Sequence, residues 1–479
     1  MANHTIKFGT DGWRAVIADG FTFANVRICT QAVANYLHNA GLAHHGIVVG
    51  YDTRFASANF ASTAAEVLAG NGIKVYLSNS AVPTPVVSYA VVNLKAGGGI
   101  VITASHNPRE WNGFKYKSPD GASAPTDVVV QIENLIADIQ PQDIPTLALD
   151  EAIKQNLIIL SNFTPAYRQH IESLVDLNVI RSAGFAIAVD SMHGAGGGYF
   201  KMLLGENATC INEIRGAPNP AFPDMQQPEP IGINLAELSE YVEADGASVG
   251  LATDGDADRL GVIDENGNYI TQLQVYALLA LYFLEVRGER GAIVKTITTT
   301  NMLNKLGELY NVPVFETSVG FKYVAPVMQR ENAVIGGEES GGYGFHRHIP
   351  ERDGLLAGLY FLDLMARTNK TPTQLLEYLY SKVGSHYYDR RDIHFATEAR
   401  QSIIQRMQEA APSNMDGVAV IRKETEDGFR FVLADSSWLL VRFSGTEPLL
   451  RVYAESFSTL KVQNLLDIGM QLAGMKGTP

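Results

Sequence analysis

The most constraining feature of this sequence is a repeated alternation of short apolar runs with amphipathic, helix-like stretches. The apolar runs 47–50, 73–77 and 99–103 alternate with helix-like stretches at 59–69 and 86–94. This alternation is typical of β-strand, helix, β-strand units, in which helices cover a largely parallel sheet. The sequence therefore predicts an α/β fold for this part of the chain.

The same alternation occurs twice more. It begins again at 185–189 and ends at 248–252, and a third series runs from 291–297 through 312–315 to 334–335. In each series a polar loop directly follows the last strand. Ligands bind beyond the carboxyl ends of strands in open α/β sheets, so we expect these three loops to form a site.

The length of the chain predicts several domains, because 479 residues exceed what one hydrophobic core organises. The polar, proline-containing segment 138–145 suits a domain boundary, and after about residue 382 the pattern changes to helices and hairpin-type strands. We therefore expect three α/β domains and a smaller C-terminal α+β domain. Their predicted ranges are 1–145, 146–258, 259–380 and 381–479.

Charge and composition exclude several classes of partner. The net charge of -14 disfavours nucleic acid and anionic membranes, which bind basic surfaces. The longest apolar run, 277–284, is too short to span a bilayer. The only two cysteines, Cys29 and Cys210, fit a reducing, cytoplasmic location, and we expect both to be small core residues. Phosphate chemistry would have to depend on locally concentrated Lys, Arg and metal.

The first polar loop, TASHNP at 103–108, contains a candidate nucleophile. Ser105 follows a predicted strand, with His106 beside it and Lys115 shortly after. A serine held in this way can form a covalent intermediate, although Ser, Asn and Pro are also common in ordinary turns. The sequence has no G-x-S-x-G elbow, so a hydrolase triad is not indicated. We expect Ser105 to lie on a surface loop.

The second loop, DGDADR at 254–259, predicts a metal site. In an extended segment alternate side chains share a face, so Asp254, Asp256 and Asp258 can converge on one cation. Oxygen ligands favour magnesium or calcium. A calcium EF-hand is disfavoured because Arg259 stands where its loop requires glycine, even though Glu265 falls at the twelfth position. The remaining alternative is a solvated acidic turn.

Two further loops fit parts of a sugar phosphate. GEESGG at 337–342 offers Glu338 and Ser340, which suit neighbouring sugar hydroxyls, although a flexible acidic loop would look the same. RFSGTEP at 442–448 combines Arg442 with two hydroxyls and a glycine, a set that can cradle phosphate. Its alternative is a hairpin turn with an exposed arginine.

The four loops, together with FGTDGWR at 8–14, resemble the α-D-phosphohexomutase family of phosphoglucomutases, phosphomannomutases and phosphoglucosamine mutases. The resemblance covers nearly the whole chain. It implies a heart-shaped protein of three mixed-sheet α/β domains plus a C-terminal α+β domain. Each domain would contribute one loop to a central cleft.

The resemblance implies roles for individual residues. Ser105 would carry a phosphoryl group, and its oxygen would join the three aspartates of the second loop in holding Mg²⁺. Arg14, Lys115 and His106 would be catalytic, and Arg259 would stabilise charge. The substrate-binding residues would be Gly320, Lys322, Glu338, Ser340, Arg352, Arg442, Ser444, Gly445, Thr446 and Arg451.

The implied reaction interconverts glucose 1-phosphate and glucose 6-phosphate through a hexose 1,6-bisphosphate, with glucose 1,6-bisphosphate as intermediate and activator. Hexose phosphates would be the partners of a monomer or small homo-oligomer. The segments 320–322 and 337–342 look more like phosphoglucomutases than the other subfamilies. The alternatives are a phosphomannomutase or dual-specificity mutase, a bisphosphate synthase, a sugar phosphatase and a non-catalytic calcium-binding module.

The sequence departs from the family pattern at two positions. Several relatives have a histidine where this chain has Gly342, so that proton-transfer role is unfilled; Lys115 is the first candidate for it, with Arg352 as a supporting cation. Ala257 stands where many relatives have glycine. We expect its methyl group to point away from the cation.

Overall fold

The computed structural model describes residues 6–9, 11–205, 210–444 and 449–475. It contains four sheets, of six, five, four and six strands. The first three combine parallel and antiparallel neighbours, and the fourth is antiparallel in every pair. The predicted fold class, three mixed α/β units and a C-terminal α+β unit, is confirmed.

The first sheet has the strand order β1-β5-β4-β2-β3-β6. Strands β4, β2, β3 and β6 are parallel, whereas β5 and β1 are antiparallel additions at one edge. The elements are β1 (Trp13–Val16), α1 (Phe23–Asn39), β2 (Ile47–Tyr51), α2 (Ser57–Gly70), β3 (Val75–Ser78), α3 (Thr84–Asn93), β4 (Gly99–Ile102), β5 (Trp111–Lys117), α4 (Thr126–Ile136), α5 (Leu149–Lys154) and β6 (Ile158–Ser161).

The second sheet has the order β11-β10-β9-β7-β8. Its parallel strands are β7, β8 and β9, and the DGDADR loop is the turn that reverses the chain from β9 into antiparallel β10. The elements are α6 (Thr164–Leu174), α7 (Leu177–Ser182), β7 (Ala186–Asp190), α8 (Tyr199–Leu204), β8 (Cys210–Ile214), α9 (Ala236–Asp245), β9 (Val249–Thr253), β10 (Leu260–Ile263) and β11 (Tyr269–Ile270).

The third sheet has the order β13-β12-β14-β15, with β15 antiparallel to β14. The GEESGG loop connects these last two strands. The elements are α10 (Gln272–Leu281), β12 (Ile293–Thr296), α11 (Met302–Tyr310), β13 (Val314–Thr317), α12 (Phe321–Arg330), β14 (Ile335–Gly337), β15 (Tyr343–Phe345), α13 (Gly354–Thr368) and α14 (Pro372–Val383).

The fourth sheet has the order β16-β21-β20-β19-β18-β17. Helix α16 packs against β20, β21 and β16. The elements are β16 (Tyr387–His394), α15 (Arg400–Glu409), β17 (Asn414–Met415), β18 (Val418–Glu424), β19 (Phe429–Leu433), β20 (Trp438–Phe443), β21 (Leu449–Ser456) and α16 (Thr459–Ala473).

The units built on these sheets, here called units I to IV, do not have equally separate cores. One apolar cluster contains residues of α3, α6, α10 and α13 and therefore joins units I, II and III. Helix α13 is its centre, because residues 354–365 are all buried. Unit IV has a core of its own. Units I to III thus form a common base, to which unit IV is attached.

Sheet membership extends past two of the predicted domain ends. Strand β6 lies after residue 145 and pairs with β3, and strands β10 and β11 lie after residue 258 and belong to the second sheet. Cys29 is buried as expected, but Cys210 is exposed, so its assignment to the core was wrong. Among the described residues, no helix combines the length and apolar character needed to cross a bilayer.

Candidate active site

Ser105 lies directly beyond β4, and the structure encloses it. Its exposed fraction is 0%, so the prediction of a surface position was wrong. Its backbone is left-handed, with φ 54°, and its N–H donates to Thr103 Oγ1 at 2.8 Å. Its hydroxyl donates to Oδ2 of Asp254 at 3.0 Å. The serine loop and the acidic loop of unit II therefore meet at this hydroxyl.

A buried ion pair that the sequence did not reveal holds the serine loop. The Arg54 guanidinium donates to the carbonyl oxygens of Ser105 and Asn107, each at 2.6 Å. It also donates to the carbonyl of Pro108 in the same loop and to that of Trp111 at the start of β5. Asp52 lies 3.2 Å from Arg54 and accepts from Thr103 Oγ1 at 2.6 Å. Asp52 and Arg54 follow β2, the parallel neighbour of β4. Their position beyond a predicted strand was the only available signal.

The three aspartates of the acidic loop converge as predicted. Asp254, Asp256 and Asp258 are fully buried, and one oxygen from each lies within 4.8 Å of the others. The loop approaches the serine so closely that a Cβ at Gly255 would lie 2.6 Å from the Ser105 carbonyl oxygen. The side chain of Ala257, which has φ 56°, joins the apolar core instead of the carboxylates.

Asp254 accepts hydrogen bonds at both carboxylate oxygens, whereas Asp256 and Asp258 each accept at one. Oδ1 of Asp254 accepts from the N–H groups of Asp258 and Arg259 at 3.0 and 3.2 Å. Oδ2 of Asp256 accepts from Thr84 and Lys115, and Oδ2 of Asp258 accepts from an arginine of unit III. Oδ1 of Asp256 and Oδ1 of Asp258 have no hydrogen-bond partner among the described residues. Buried oxygens of this kind are costly unless a cation is present.

The electrostatics of the cluster also favour a cation. Burial, together with Asp258 and Asp256, raises the pKa of Asp254 well above its ordinary value, and burial raises the pKa of Asp258. Three carboxylates packed this closely resist simultaneous ionisation. A donor set made only of oxygens fits a hard divalent ion such as Mg²⁺. The residues present therefore fit the predicted metal.

Lys115 projects from β5 into the same cluster. Its Nζ lies 2.7 Å from Asp11, 2.9 Å from Asp256 and 3.5 Å from Asp258. Burial opposes its charge, but these carboxylates outweigh burial and raise the pKa of Lys115. Asp11, which belongs to the FGTDGWR segment but had no predicted role, also lies 2.9 Å from Arg352. It joins unit I to unit III.

Arg352 connects the acidic loop with the GEESGG loop at 337–342, here called the sugar loop. Its Nη2 donates to Asp258 Oδ2 at 2.6 Å, and its Nη1 donates to Glu338 Oε2 at 3.2 Å. The stem of Arg352 lies against Gly342, where an added Cβ would be 2.3 Å from the arginine Cδ. Arg352 therefore occupies the space into which a side chain at position 342 would project.

The remaining catalytic candidates surround the serine. Nδ1 of His106 lies 3.4 Å from the Ser105 hydroxyl, and burial with the nearby arginines lowers the pKa of His106 well below its ordinary value. Arg14 donates to the Asn107 side chain at 2.5 Å. Arg259 pairs with Glu229 at 2.8 Å. His106 thus contacts the Ser105 hydroxyl directly, whereas Arg14 contacts the serine loop and Lys115 contacts the acidic cluster.

The sugar loop is a tight turn in which the Glu338 N–H donates to the Gly342 carbonyl at 3.0 Å. Glu338 is buried, and burial raises its pKa. Ser340 is half-buried. Gly320, with φ 131°, precedes α12, and Lys322 lies in the first turn of that helix.

The predicted phosphate-binding residues lie in unit IV. Arg442 on β20 and Arg451 on β21 face each other in the antiparallel ladder. Ser444 is buried, and its N–H donates to the Leu449 carbonyl at 2.8 Å. Gly445 and Thr446 lie outside the described residues. Arg442 and Arg451 thus lie side by side on neighbouring strands of unit IV.

Four family descriptions match the chain in sequence order. They are phosphoglucomutase/phosphomannomutase alpha/beta/alpha domain I at residues 5–143, domain II at 165–267, domain III at 272–383 and the C-terminal domain at 403–468. Each match contains one of the four loops.

Individual relatives match along almost the whole length. A phosphoglucomutase/phosphomannomutase of Thermococcus kodakarensis is 31% identical, covering 97% of this chain and 98% of its own. A phosphoglucosamine mutase of Nitratidesulfovibrio vulgaris is 30% identical, covering 96% and 97%. A crystal structure of a Thermus thermophilus protein assigned as a phosphomannomutase superposes with a TM-score of 0.84, 33% identity, and coverage of 98% and 99%.

Proposed function

Because the chain belongs to the phosphoglucomutase/phosphomannomutase family, we propose that this phosphohexomutase interconverts glucose 1-phosphate and glucose 6-phosphate through phosphorylated Ser105. The observation that carries the proposal is the 3.0 Å contact between the Ser105 hydroxyl and Asp254, inside a buried acidic cluster that has two oxygens without a partner among the described residues. Phosphoryl transfer depends mainly on positioning and charge neutralisation, and this cluster supplies both.

The first transfer moves the phosphoryl group from the Ser105 oxygen to the free hydroxyl of the hexose phosphate. The bond from phosphorus to Oγ breaks and a bond to the sugar oxygen forms. The proton of the sugar hydroxyl passes to the serine oxygen, which becomes a hydroxyl again. His106 is positioned by its 3.4 Å contact to exchange a proton at the serine oxygen. Lys115 stays charged between its carboxylates, so it attracts the transferring oxygens and does not take the proton-transfer role for which the sequence made it the first candidate.

Asp254, Asp256 and Asp258 would hold Mg²⁺ together with an oxygen on Ser105. The ion, when bound, neutralises negative charge that spreads over the transferring phosphoryl oxygens. Arg14 and Arg259 add fixed positive charge beside the same group. The negative charge of the three aspartates would then be balanced by the cation and would not repel the phosphorylated substrate.

The second transfer requires the sugar bisphosphate to turn end over end. In either orientation Glu338 and Ser340 would bind ring hydroxyls. Arg442 and Arg451, with Gly320, Lys322, Arg352, Ser444, Gly445 and Thr446, would bind the rest of the substrate, including the phosphate that is not reacting. The phosphoryl group at the other end then returns to Ser105. One serine can thus serve two distant sugar oxygens.

Glucose preference is the finer part of the proposal. Its support is the likeness of segments 320–322 and 337–342 to phosphoglucomutases. Related proteins carry glucose, mannose and glucosamine names, which favours a second candidate, a dual-specificity mutase. Because glucose and mannose differ only at C2, a site that binds mainly O3 and O4 would discriminate by about 10–200-fold.

The test compares kcat/KM for the 1-phosphates of glucose, mannose and glucosamine, with and without glucose 1,6-bisphosphate. We expect glucose 1-phosphate to be converted most efficiently. A clear preference for mannose 1-phosphate would refute the substrate assignment. Accumulation of bisphosphate would indicate a synthase, and release of free phosphate would indicate a phosphatase.

A further inference from the structure

Glu339 lies between the two proposed sugar-binding residues, Glu338 and Ser340, but its carboxylate contacts unit IV. Its Oε1 accepts hydrogen bonds from the hydroxyl of Tyr388 and from Nη1 of Arg390, each at 3.0 Å. Both donors lie on β16, the first strand of unit IV. A residue of the sugar loop is therefore bound directly by the unit that carries the phosphate-binding arginines.

A chain of alternating charges continues from Arg390. Its Nε lies 3.0 Å from Oδ1 of Asp392, and Oδ2 of Asp392 lies 3.7 Å from Nε of Arg451. Asp392 and Arg451 face each other in the β16–β21 ladder. Glu339, Arg390 and Asp392 thus connect the sugar loop to one of the two arginines proposed to bind phosphate.

The second of these arginines has its own link to unit III. Nε of Arg442 donates to Oδ1 of Asp427 at 2.8 Å, and the other oxygen of Asp427 accepts from the N–H of Val319 at 2.9 Å. Val319 immediately precedes Gly320. Both arginines are therefore anchored by carboxylates that also connect them to unit III.

The Glu339–Arg390 ion pair is partly shielded from solvent. The side chain of Glu339 is 17% exposed and that of Arg390 is 29% exposed. The negative charge of Glu339 is the main cause of the raised pKa of Arg390, which burial opposes. Partly buried pairs are screened less by salt than exposed pairs. Tyr388, which is half-buried, adds an uncharged hydrogen bond to the same oxygen, and this second donor fixes the direction of the carboxylate.

We propose that Glu339 is a positioning residue that sets the distance between the sugar loop and the phosphate-binding arginines. The inference rests on the proposed function, because it assumes a substrate that contacts both. A hexose phosphate gains from both contacts only if the two sites are held at the matching separation before it binds. Without Glu339, every group that contacts the substrate remains, but the direct link between the sugar loop and β16 is lost.

The test is a double-mutant cycle with Glu339→Gln and Arg390→Gln. We expect each single variant to raise KM for glucose 1-phosphate about tenfold, and the double variant to raise it no further, because either change breaks the same link. Kd for glucose 6-phosphate, measured by calorimetry, should follow the same pattern. Thermal unfolding of each variant shows whether the fold is retained.

Arg391→Gln is the matched control. Arg391 lies on the same strand but contacts Asp467 and Gln463 on α16. We expect wild-type KM and Kd for this variant. A tenfold weakening in Arg391→Gln would show that any charge change on β16 has this effect, and would overturn the inference.

The outcomes separate the two proposals. Wild-type KM and Kd in the Glu339 and Arg390 variants, or losses that simply add in the double variant, overturn the positioning role while the mutase assignment stands. If wild-type protein binds glucose 6-phosphate without converting it, the mutase assignment fails, and a non-additive cycle in Kd still supports the positioning role. If wild-type protein does not bind glucose 6-phosphate, both proposals fail.

Discussion

Replacing Gly342 with alanine is expected to disable the site by displacing Arg352. The added Cβ would lie 2.3 Å from Cδ of Arg352 and 2.9 Å from its Cγ. Non-bonded carbon atoms prefer separations of about 3.5–4.0 Å, so the arginine stem would have to move by at least about 1.2 Å. Arg352 is only 5% exposed, so its stem is packed inside the protein.

Such a movement would break the contacts that Arg352 makes. Its guanidinium lies 2.6 Å from Asp258, 2.9 Å from Asp11 and 3.2 Å from Glu338, and the longer of these contacts would leave hydrogen-bond range. Breaking a buried ion pair costs about 3–5 kcal/mol. With partial relaxation we expect the free energy of unfolding to fall by about 2–3 kcal/mol. A similar loss of transition-state stabilisation would lower kcat/KM about 100-fold.

The assay is conversion of glucose 1-phosphate, coupled to oxidation of glucose 6-phosphate, together with urea unfolding of the same preparation. Gly232→Ala is the control, because a Cβ there meets its nearest atom at 3.4 Å, an ordinary contact. We expect wild-type values for the control. If Gly342→Ala retained wild-type kcat/KM and unfolding free energy, the reasoning from the Gly342–Arg352 contact would be refuted.

Four further predictions test the site and the fold. Ser105→Ala should abolish turnover and remove the phosphoryl adduct seen by intact-mass analysis of active protein; near-wild-type activity would refute the phosphoserine mechanism. Asp256→Asn should lower kcat at least about 100-fold, with little rescue by excess magnesium, and full activity of chelator-treated wild type would contradict the metal assignment. Arg442→Ala should mainly raise KM for glucose 1-phosphate, and an unchanged KM would count against its role in binding phosphate. Burial and His348 lower the pKa of His170 to about 4. Between about pH 6.5 and 4 the unfolded chain binds a proton at His170 that the folded chain does not bind. The stability that depends on the neutral ring is therefore fully present above about pH 6.5 and is lost as pH falls towards 4. For a half-exposed ring we expect a loss of about 1 kcal/mol in unfolding free energy between about pH 7 and 5, absent in His170→Gln.

The location of the site could be predicted because its loops follow strands that the alternation reveals. Ser105 follows β4, and Asp254 follows β9, both close to the predicted strand ends. The carboxyl ends of parallel strands lie at one edge of a sheet, where ligands bind. Each candidate residue was therefore expected at the binding edge of its own sheet. The resemblance to a known family then supplied the expectation that each unit contributes its loop to one central cleft.

Other features depend on contacts between distant parts of the chain and leave no local pattern. Strand β5 is almost wholly buried although it contains Lys115 and Lys117, whose carboxylate partners come from elsewhere in the chain. Ser105 is enclosed because the acidic loop of unit II covers it, whereas a loop of unit I alone would be open to solvent. Cys210 is exposed because β8 is the edge strand of its sheet.

The complete enclosure of Ser105 restricts how the protein could first become active. A protein kinase binds its target as an accessible, extended segment, and the folded chain offers no such segment around this side chain. A sugar bisphosphate needs a much smaller opening to reach Ser105 than a kinase does, so the first phosphoryl group would be expected to arrive on a small molecule of this kind. Newly synthesised molecules would remain inactive until that metabolite is present. The concentration of a small molecule, and not the activity of a protein kinase, would then determine what fraction of the protein molecules is phosphorylated and active.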